Sequence, residues 1–255
     1  MNGHRIALQL YTVRDHTAKD MLGTLRQLAA MGYRAVEFAG YGNATPEEIR
    51  PVLDELGMQA MGAHVGIQLW QTDREKVLHD MATLGCSYAV VPSVGEEYRT
   101  TVGQIQHLAT ILNDLGRVAQ QAGLRFGYHN HAFEFTTVEG TTMYDRLAAL
   151  TDPDLVLLEF DIFWAQFGGA DPIALIEHYG RRMALLHVKD MAAGEQREDR
   201  PVGEGIMTWP RLLAAGRAAG SEWYIVEQDH PKDPLGDVHT SFQNLEQLLG
   251  QVYAL

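Results

Sequence analysis

Residues 155–189 read LVLLEFDIFWAQFGGADPIALIEHYGRRMALLHVK. Two apolar runs, 155 to 161 and 183 to 189, carry strand-like composition and close on polar residues, Asp161 in the first and His187 with Lys189 in the second. Between them Pro172–Tyr179 has apolar residues at helical steps. A strand, a helix and a second strand whose polar ends match is one step of a repeated βα architecture.

The same alternation extends in both directions. Strand candidates fall at 6 to 11, 35 to 39, 59 to 64, 88 to 92, 125 to 131 and 223 to 228. Helical patterns cover Asp20–Met31, Pro46–Leu56, Asp73–Leu84 and Val102–Gln121. Gly32, Gly57, Gly85 and Gly123 stand where helices give way to strands, the place for a left-handed helix C-cap. Eight units predict a closed (β/α)8 TIM barrel, and 255 residues suit one such domain over 1–255. No GxGxxG follows the first strand, which argues against an open dinucleotide-binding sheet.

In such a barrel the active site lies at the C-terminal ends of the strands. Four late strands end there in metal-binding residue types: His129 in GYHNH, Asp161 in LLEFD, His187 in ALLHVKD and Glu227 in WYIVEQD. Alternation puts His129 and His131 on one face with Gly127, Glu159 with Asp161, Lys189 with His187, and Asp229 with Glu227. A single strand-end His or Asp often merely caps a neighbouring backbone group; four at equivalent positions predict a shared site. Two imidazoles and two carboxylates suit one divalent ion among Mn, Co, Fe, Zn and Mg, with Mn favoured. Further polar residues at strand ends are candidates for contacting a bound ligand: Gln9, Glu37, His64 and Glu159. Glu159 has the alternative of a core carboxylate paired with His131 or Lys189, and Lys189 that of a salt bridge to Glu159 or Asp229. Glu134 is expected to orient His131, Trp164 to stack on the apolar face of a ligand ring, and Arg200 to bind a ligand oxygen. The polar loop AAGEQREDR at 192–200 is expected to be mobile.

Composition narrows the classes. A net charge of −13 works against nucleic acid and anionic membranes as partners. One cysteine, Cys86, permits no intrachain disulfide and no thiolate cluster. No uninterrupted apolar run is long enough to cross a bilayer, and the first residues lack a signal-peptide core, so a cytoplasmic location is expected.

The strand-end series, HVKD at 187–190, VGEGIMTW at 202–209 and VEQD at 226–229 resemble the xylose isomerase-like TIM-barrel family of sugar isomerases and epimerases, which includes inosose dehydratases. The resemblance covers essentially the whole chain. It implies Asp161, His187 and Glu227 as metal ligands, with His129 aligned where many members carry Glu. It implies Glu227 as catalytic base, Lys189 or His131 as the opposing proton source, a sugar or keto sugar as substrate, and a homodimer or homotetramer. The implied activity is isomerisation or epimerisation through an enediolate; YHNHAFEF at 128–135 resembles members that eliminate from keto sugars, inososes and 3-ketoglycosides, which keeps a lyase open. An endonuclease IV-like nuclease shares the barrel, but the charge and the shortage of further ligands oppose it. A barrel that binds without catalysis is the remaining alternative.

Overall fold

The computed structural model describes residues 5–254. Eight parallel strands close into a barrel: β1 (Arg5–Gln9), β2 (Ala35–Phe38), β3 (Gln59–His64), β4 (Tyr88–Val91), β5 (Arg125–His129), β6 (Val156–Asp161), β7 (Leu185–Val188) and β8 (Trp223–Val226). They pair in sequence order, and β8 returns to β1 with Leu8 opposite Val226. The principal helices are α1 (Arg14–Met31), α2 (Pro46–Leu56), α3 (Arg74–Leu84), α4 (Val102–Gln121), α5 (Met143–Leu150), α6 (Pro172–Tyr179), α7 (Trp209–Ala219) and α8 (Pro234–Tyr253).

Local signals explain several boundaries. Thr45 opens α2 and Thr101 opens α4 with capping boxes closed by Glu48 and Gln104. Gly32, Gly57, Gly85 and Gly123 all have positive φ, as their position at helix ends requires. Within α1, Asp20 leaves helical geometry and its carboxylate accepts from the Gly23 amide, so the helix restarts where the sequence pattern places its beginning.

Two apolar layers result. Outward strand residues such as Leu8, Val36, Phe126, Phe160, Leu186 and Val226 pack under the helices, whereas Ala7, Met61, Val90, Leu185, Trp223 and Ile225 fill the barrel interior. Above that interior plug the inward positions turn polar, which places chemistry at the mouth.

Several strands stop short of their predicted ends because side chains take over the backbone partners. The first, predicted to reach residue 11, ends at Gln9, whose side chain accepts from the Tyr11 amide and starts a single 3-10 turn. The fifth stops at His129, so His131 sits in the following loop, its amide bound by Glu134. The polar segment after β7, expected to be mobile, is a ribbon in which Asp190–Met191 pairs with Asp199–Arg200. Among the described residues no helix is long and apolar enough to cross a membrane.

Candidate active site

Parallel register brings the strand ends together. His129 on β5 lies beside Glu159 on β6, Asp161 beside His187 on β7, and His187 beside Ile225 on β8, two residues before Glu227. His129, Asp161, His187 and Glu227 are all buried, and one donor atom from each lies within 4.8 Å of the others. These are the four residues the strand pattern singles out.

Each has its free atoms fixed by neighbours. Asp161 caps the short helix Ile162–Phe167 with Oδ1, which accepts from the Trp164 amide at 2.7 Å. Its other oxygen, Oδ2, is buried without a well-formed hydrogen bond; it lies 3.0 Å from Lys189 Nζ and 3.9 Å from His129 Nε2. Asn130 points away from the mouth and ties β5 to β6, its amide group exchanging two bonds with the Asp161 backbone. His187 places Nδ1 3.0 Å from Glu227 Oε2 and Nε2 3.0 Å from Glu37 Oε2.

Glu159 resolves differently from its sequence-based pairing with His131 or Lys189. Its Oε2 lies 2.6 Å from His64 Nε2, 3.0 Å from His129 Nδ1 and 3.3 Å from His187 Nε2. Glu159 therefore stands behind the two imidazoles, on the side away from Asp161 and Glu227. The reason is barrel closure: strand parity gives the inward face, but not which neighbour across the lumen lies within reach. His64, His129, Glu159 and His187 form a second compact group sharing both imidazoles with the first.

A divalent cation fits the mouth group on observations of the chain itself. The donors are two imidazole nitrogens and two carboxylates, a set for borderline to hard divalent ions. Asp161 Oδ2 is buried with no well-formed hydrogen bond, only the Lys189 ammonium beside it at 3.0 Å, and both imidazoles already have a carboxylate on the opposite nitrogen, the usual support for a metal-binding histidine. Glu37, Glu159, Asp161, Glu227 and Asp229 converge on a single ammonium, Lys189, and three imidazoles. Such a concentration of buried negative charge is costly without a further cation.

Lys189 Nζ lies 2.7 Å from both Glu227 Oε2 and Asp229 Oδ2. Burial opposes its charge, yet Asp161, Glu227 and Asp229 hold its ammonium well above the ordinary range. Burial likewise works against ionised Glu227, but Lys189 and His187 hold that carboxyl well below the usual range. Burial, reinforced by Lys189, pushes His131 down to about 4, so its imidazole is neutral near pH 7. Asp161 is pushed up to about 6 by burial, against the pull of Lys189.

The other predicted residues divide. Gln9 and Glu37 meet directly, Gln9 Nε2 donating to Glu37 Oε2 at 2.8 Å, and both are fully buried under the mouth. Glu134 is also fully buried; it accepts from Tyr128 Oη and the His131 amide, so it holds the backbone of that loop rather than facing a substrate. It orients His131 as expected, though through the backbone amide rather than the ring, because the turn Phe133–Phe135 folds its side chain beneath the loop. Trp164 lies at the rim, its ring centroid 5.6 Å from that of His131 and 5.5 Å from Lys189 Nζ. Arg200 is on the ribbon, paired with Glu198 at 2.8 Å. Sequence reasoning missed the role of Asp199, whose Oδ2 accepts from the Asp229 and His230 amides and so anchors the ribbon to the end of β8. It also missed Arg14, which donates to the Asp229 carbonyl from 215 residues away. No local motif marks either contact.

Comparison with known proteins shows the same fold. The family model described as xylose isomerase-like TIM barrel matches residues 25–248. An inosose dehydratase from Geobacillus kaustophilus is 30% identical over 201 residues, 69% of this chain and 63% of that protein. The chain thus spans somewhat less than two thirds of that relative's length. A sugar phosphate isomerase/epimerase structure from Parabacteroides distasonis superposes with a TM-score of 0.84 at 26% identity, covering 96% of this chain and 94% of that one. The IOLI protein, solved with a bound zinc atom, shares the fold at a TM-score of 0.78 and 13% identity, with 98% of this chain and all of that one covered.

Proposed function

Because the chain belongs to the xylose isomerase-like TIM barrel family, we propose that it is a divalent-metal-dependent enzyme acting on a sugar or keto sugar at the carbon beside a carbonyl. Isomerisation or epimerisation is one outcome and elimination from the same enolate the other. The observation that carries this reading is the buried group His129, Asp161, His187 and Glu227, whose donor atoms converge within 4.8 Å. Manganese is the favoured ion, and a cation held there would supply Lewis acidity to a carbonyl and its neighbouring hydroxyl.

The remaining chemistry belongs to the side chains. Glu227, kept ionised beside Lys189 and His187, is the base that removes the proton next to the carbonyl. Lys189, kept protonated, is an acid and a fixed positive charge against the oxygen that becomes negative. His131, neutral and with Nδ1 lacking a partner among the described residues, can take up or relay a proton. Return of the proton to the opposite face gives an epimer, and to the adjacent carbon an isomer. Loss of a β-oxygen, protonated by Lys189, gives dehydration or release of an alcohol. Two observations support elimination specifically: the protonated Lys189 at the mouth, and the likeness to an inosose dehydratase. A cytoplasmic location and a dimeric or tetrameric assembly belong to the same proposal, the assembly to be checked by light scattering.

The test is incubation with manganese and a panel of ketoses, inososes and 3-ketoglycosides in deuterated water. Solvent deuterium in recovered substrate or product establishes the proton transfer, and product identity separates rearrangement from elimination. Glu227→Gln is expected to lower the rate by about 10²–10⁴-fold; undiminished turnover by that variant would sink its assignment as base.

A further inference from the structure

In the arrangement of side chains seen here, the strand-end groups are sealed off. Asp161, His187 and Lys189 have no exposed surface, and Glu227 keeps only 4%. Asp161, Glu227 and Asp229 stand around the Lys189 ammonium at 3.0, 2.7 and 2.7 Å. Two rings after β6 close its remaining side, the centres of Phe163 and Trp164 lying 5.7 and 5.5 Å from Nζ. One of these enclosing groups must move before any ligand touches the ammonium.

Trp164 is the one free to do so. Phe163 is buried in the core, and Asp229 is fixed through its amide by Asp199 and through its carbonyl by Arg14. Trp164 is partly exposed. Its own amide donates to Asp161 Oδ1 at 2.7 Å, so the backbone is pinned and motion is confined to the side chain. In the covering position its Nε1 is buried with no acceptor among the described residues, and so is Nδ1 of His131, whose ring centre lies 5.6 Å from that of the indole. Buried polar atoms left without partners are costly, so the covering position is weakly held.

The indole also has somewhere to go. Beside it lies a cavity of about 400 Å³, with Phe163, Trp164 and Phe167 on one side and residues 196–200 of the ribbon on the other. That is within the size of sites that hold small organic molecules, so an indole fits. The ribbon itself is fastened: Arg197 Nη1 donates to the Phe167 carbonyl at 3.0 Å, and Asp199 accepts from the Asp229 and His230 amides. Arg197, Arg200 and Lys232 all line the cavity; Arg200 and Lys232 share the carboxylate of Glu198, and Arg197 has none among the described residues. Cations attract the face of an indole, so the cavity offers the turned ring favourable contacts as well as room.

We propose that the Trp164 side chain is a gate: where it stands it closes the strand-end cluster, and by turning into the adjoining cavity it opens a path to His131, Lys189 and the group His129, Asp161, His187 and Glu227. The proposal rests on the function given above for that group and adds how the group is reached.

Fluorine NMR of the full chain labelled with 5-fluorotryptophan tests it, the Trp164 resonance being the one absent from Trp164→Phe. Trp70, Trp209 and Trp223 are at most 4% exposed and serve as internal controls. Relaxation dispersion is expected to show the Trp164 signal exchanging between two environments. Gln196→Phe, which crowds the cavity from the exposed tip of the ribbon, is expected to suppress that exchange and leave the three controls in place. Stopped-flow binding of manganese to the chelator-treated chain, followed with a fluorescent chelator, gives a second reading. Trp164→Ala is expected to speed association and dissociation alike by about tenfold and Gln196→Phe to slow both, with the dissociation constant kept within about twofold. Thermal melts confirm that each variant folds. A Trp164 signal without exchange, exchange that survives Gln196→Phe, or substitutions that alter the dissociation constant instead of the rates would overturn the proposal. If the parent chain binds no manganese, the metal reading fails, and the fluorine exchange alone decides the gate.

Discussion

At the scale of single residues, Glu159 and Glu134 show how one residue type serves different ends. Glu159 bridges the rear nitrogens of His129 and His187, so it fixes both rings without facing the mouth group. Glu159→Gln is expected to weaken metal affinity by about 10–100-fold, measured by competition with a fluorescent chelator; unchanged affinity would remove Glu159 from that role. The four mouth residues were legible because strand ends and alternation are local properties of sequence. The partners of Glu159 were not, because they depend on distances across the closed lumen. Glu134 offers a pH test. Burial pushes it up to about 8 from an ordinary 4.5, against donors from Tyr128 and His131. The folded chain thus keeps a proton that the unfolded chain has lost, so this stabilisation is complete below about pH 4.5 and lost as pH rises through about 8. Glu134→Gln cannot ionise. Its melting temperature relative to the parent chain is expected to climb across that window and level off above it; a constant difference would contradict the assignment.

At the scale of elements, the βα loops are held by buried side chains at strand ends. Asp190, just past β7, accepts from the Met191 and Met207 amides through Oδ1 and from the Gly203 amide and Trp209 Nε1 through Oδ2. The segment 201–208 is thereby pinned over the barrel, and a Cβ at position 205 would lie 2.3 Å from both Asp190 Oδ1 and the Met191 carbonyl oxygen. Gly205 in VGEGIMTW thus answers to close approach rather than to a ligand. The order of strands and helices was readable from periodicity and helix-end glycines, whereas the ribbon after β7 was not, since 192–200 is polar with no alternation. Asp190→Ala strands four buried donors and is expected to cost about 3 kcal/mol, read as a lower urea midpoint together with faster proteolysis between 201 and 208. A midpoint within error of the parent chain would show that the segment is held by other contacts.

For the whole molecule, the mouth is a charge imbalance that folding maintains. The barrel gathers Glu37, Glu159, Asp161, Glu227 and Asp229 from strands far apart in sequence, and Lys189 alone among them carries a fixed positive charge. The chain as a whole, at −13, adds to the negative field that draws cations toward this opening. Unfolding disperses the carboxylates, so a divalent ion held at the proposed site would bind the native state far better than the unfolded one. At 100 times its dissociation constant, such an ion adds about 2.7 kcal/mol of stability. In a chain of this size each kcal/mol moves the melting temperature by about 2–4 °C, which together predict a rise of about 5–10 °C with manganese over the chelator-treated protein. Asp161→Ala removes a carboxylate from the donor set while leaving the barrel's apolar layers intact, so most of that rise should vanish in the variant. Scanning calorimetry of both chains, with metal and with chelator, decides it: a parent melting temperature indifferent to divalent ions, or a rise that persists without Asp161, would mean that the strand-end cluster is not where the metal is held.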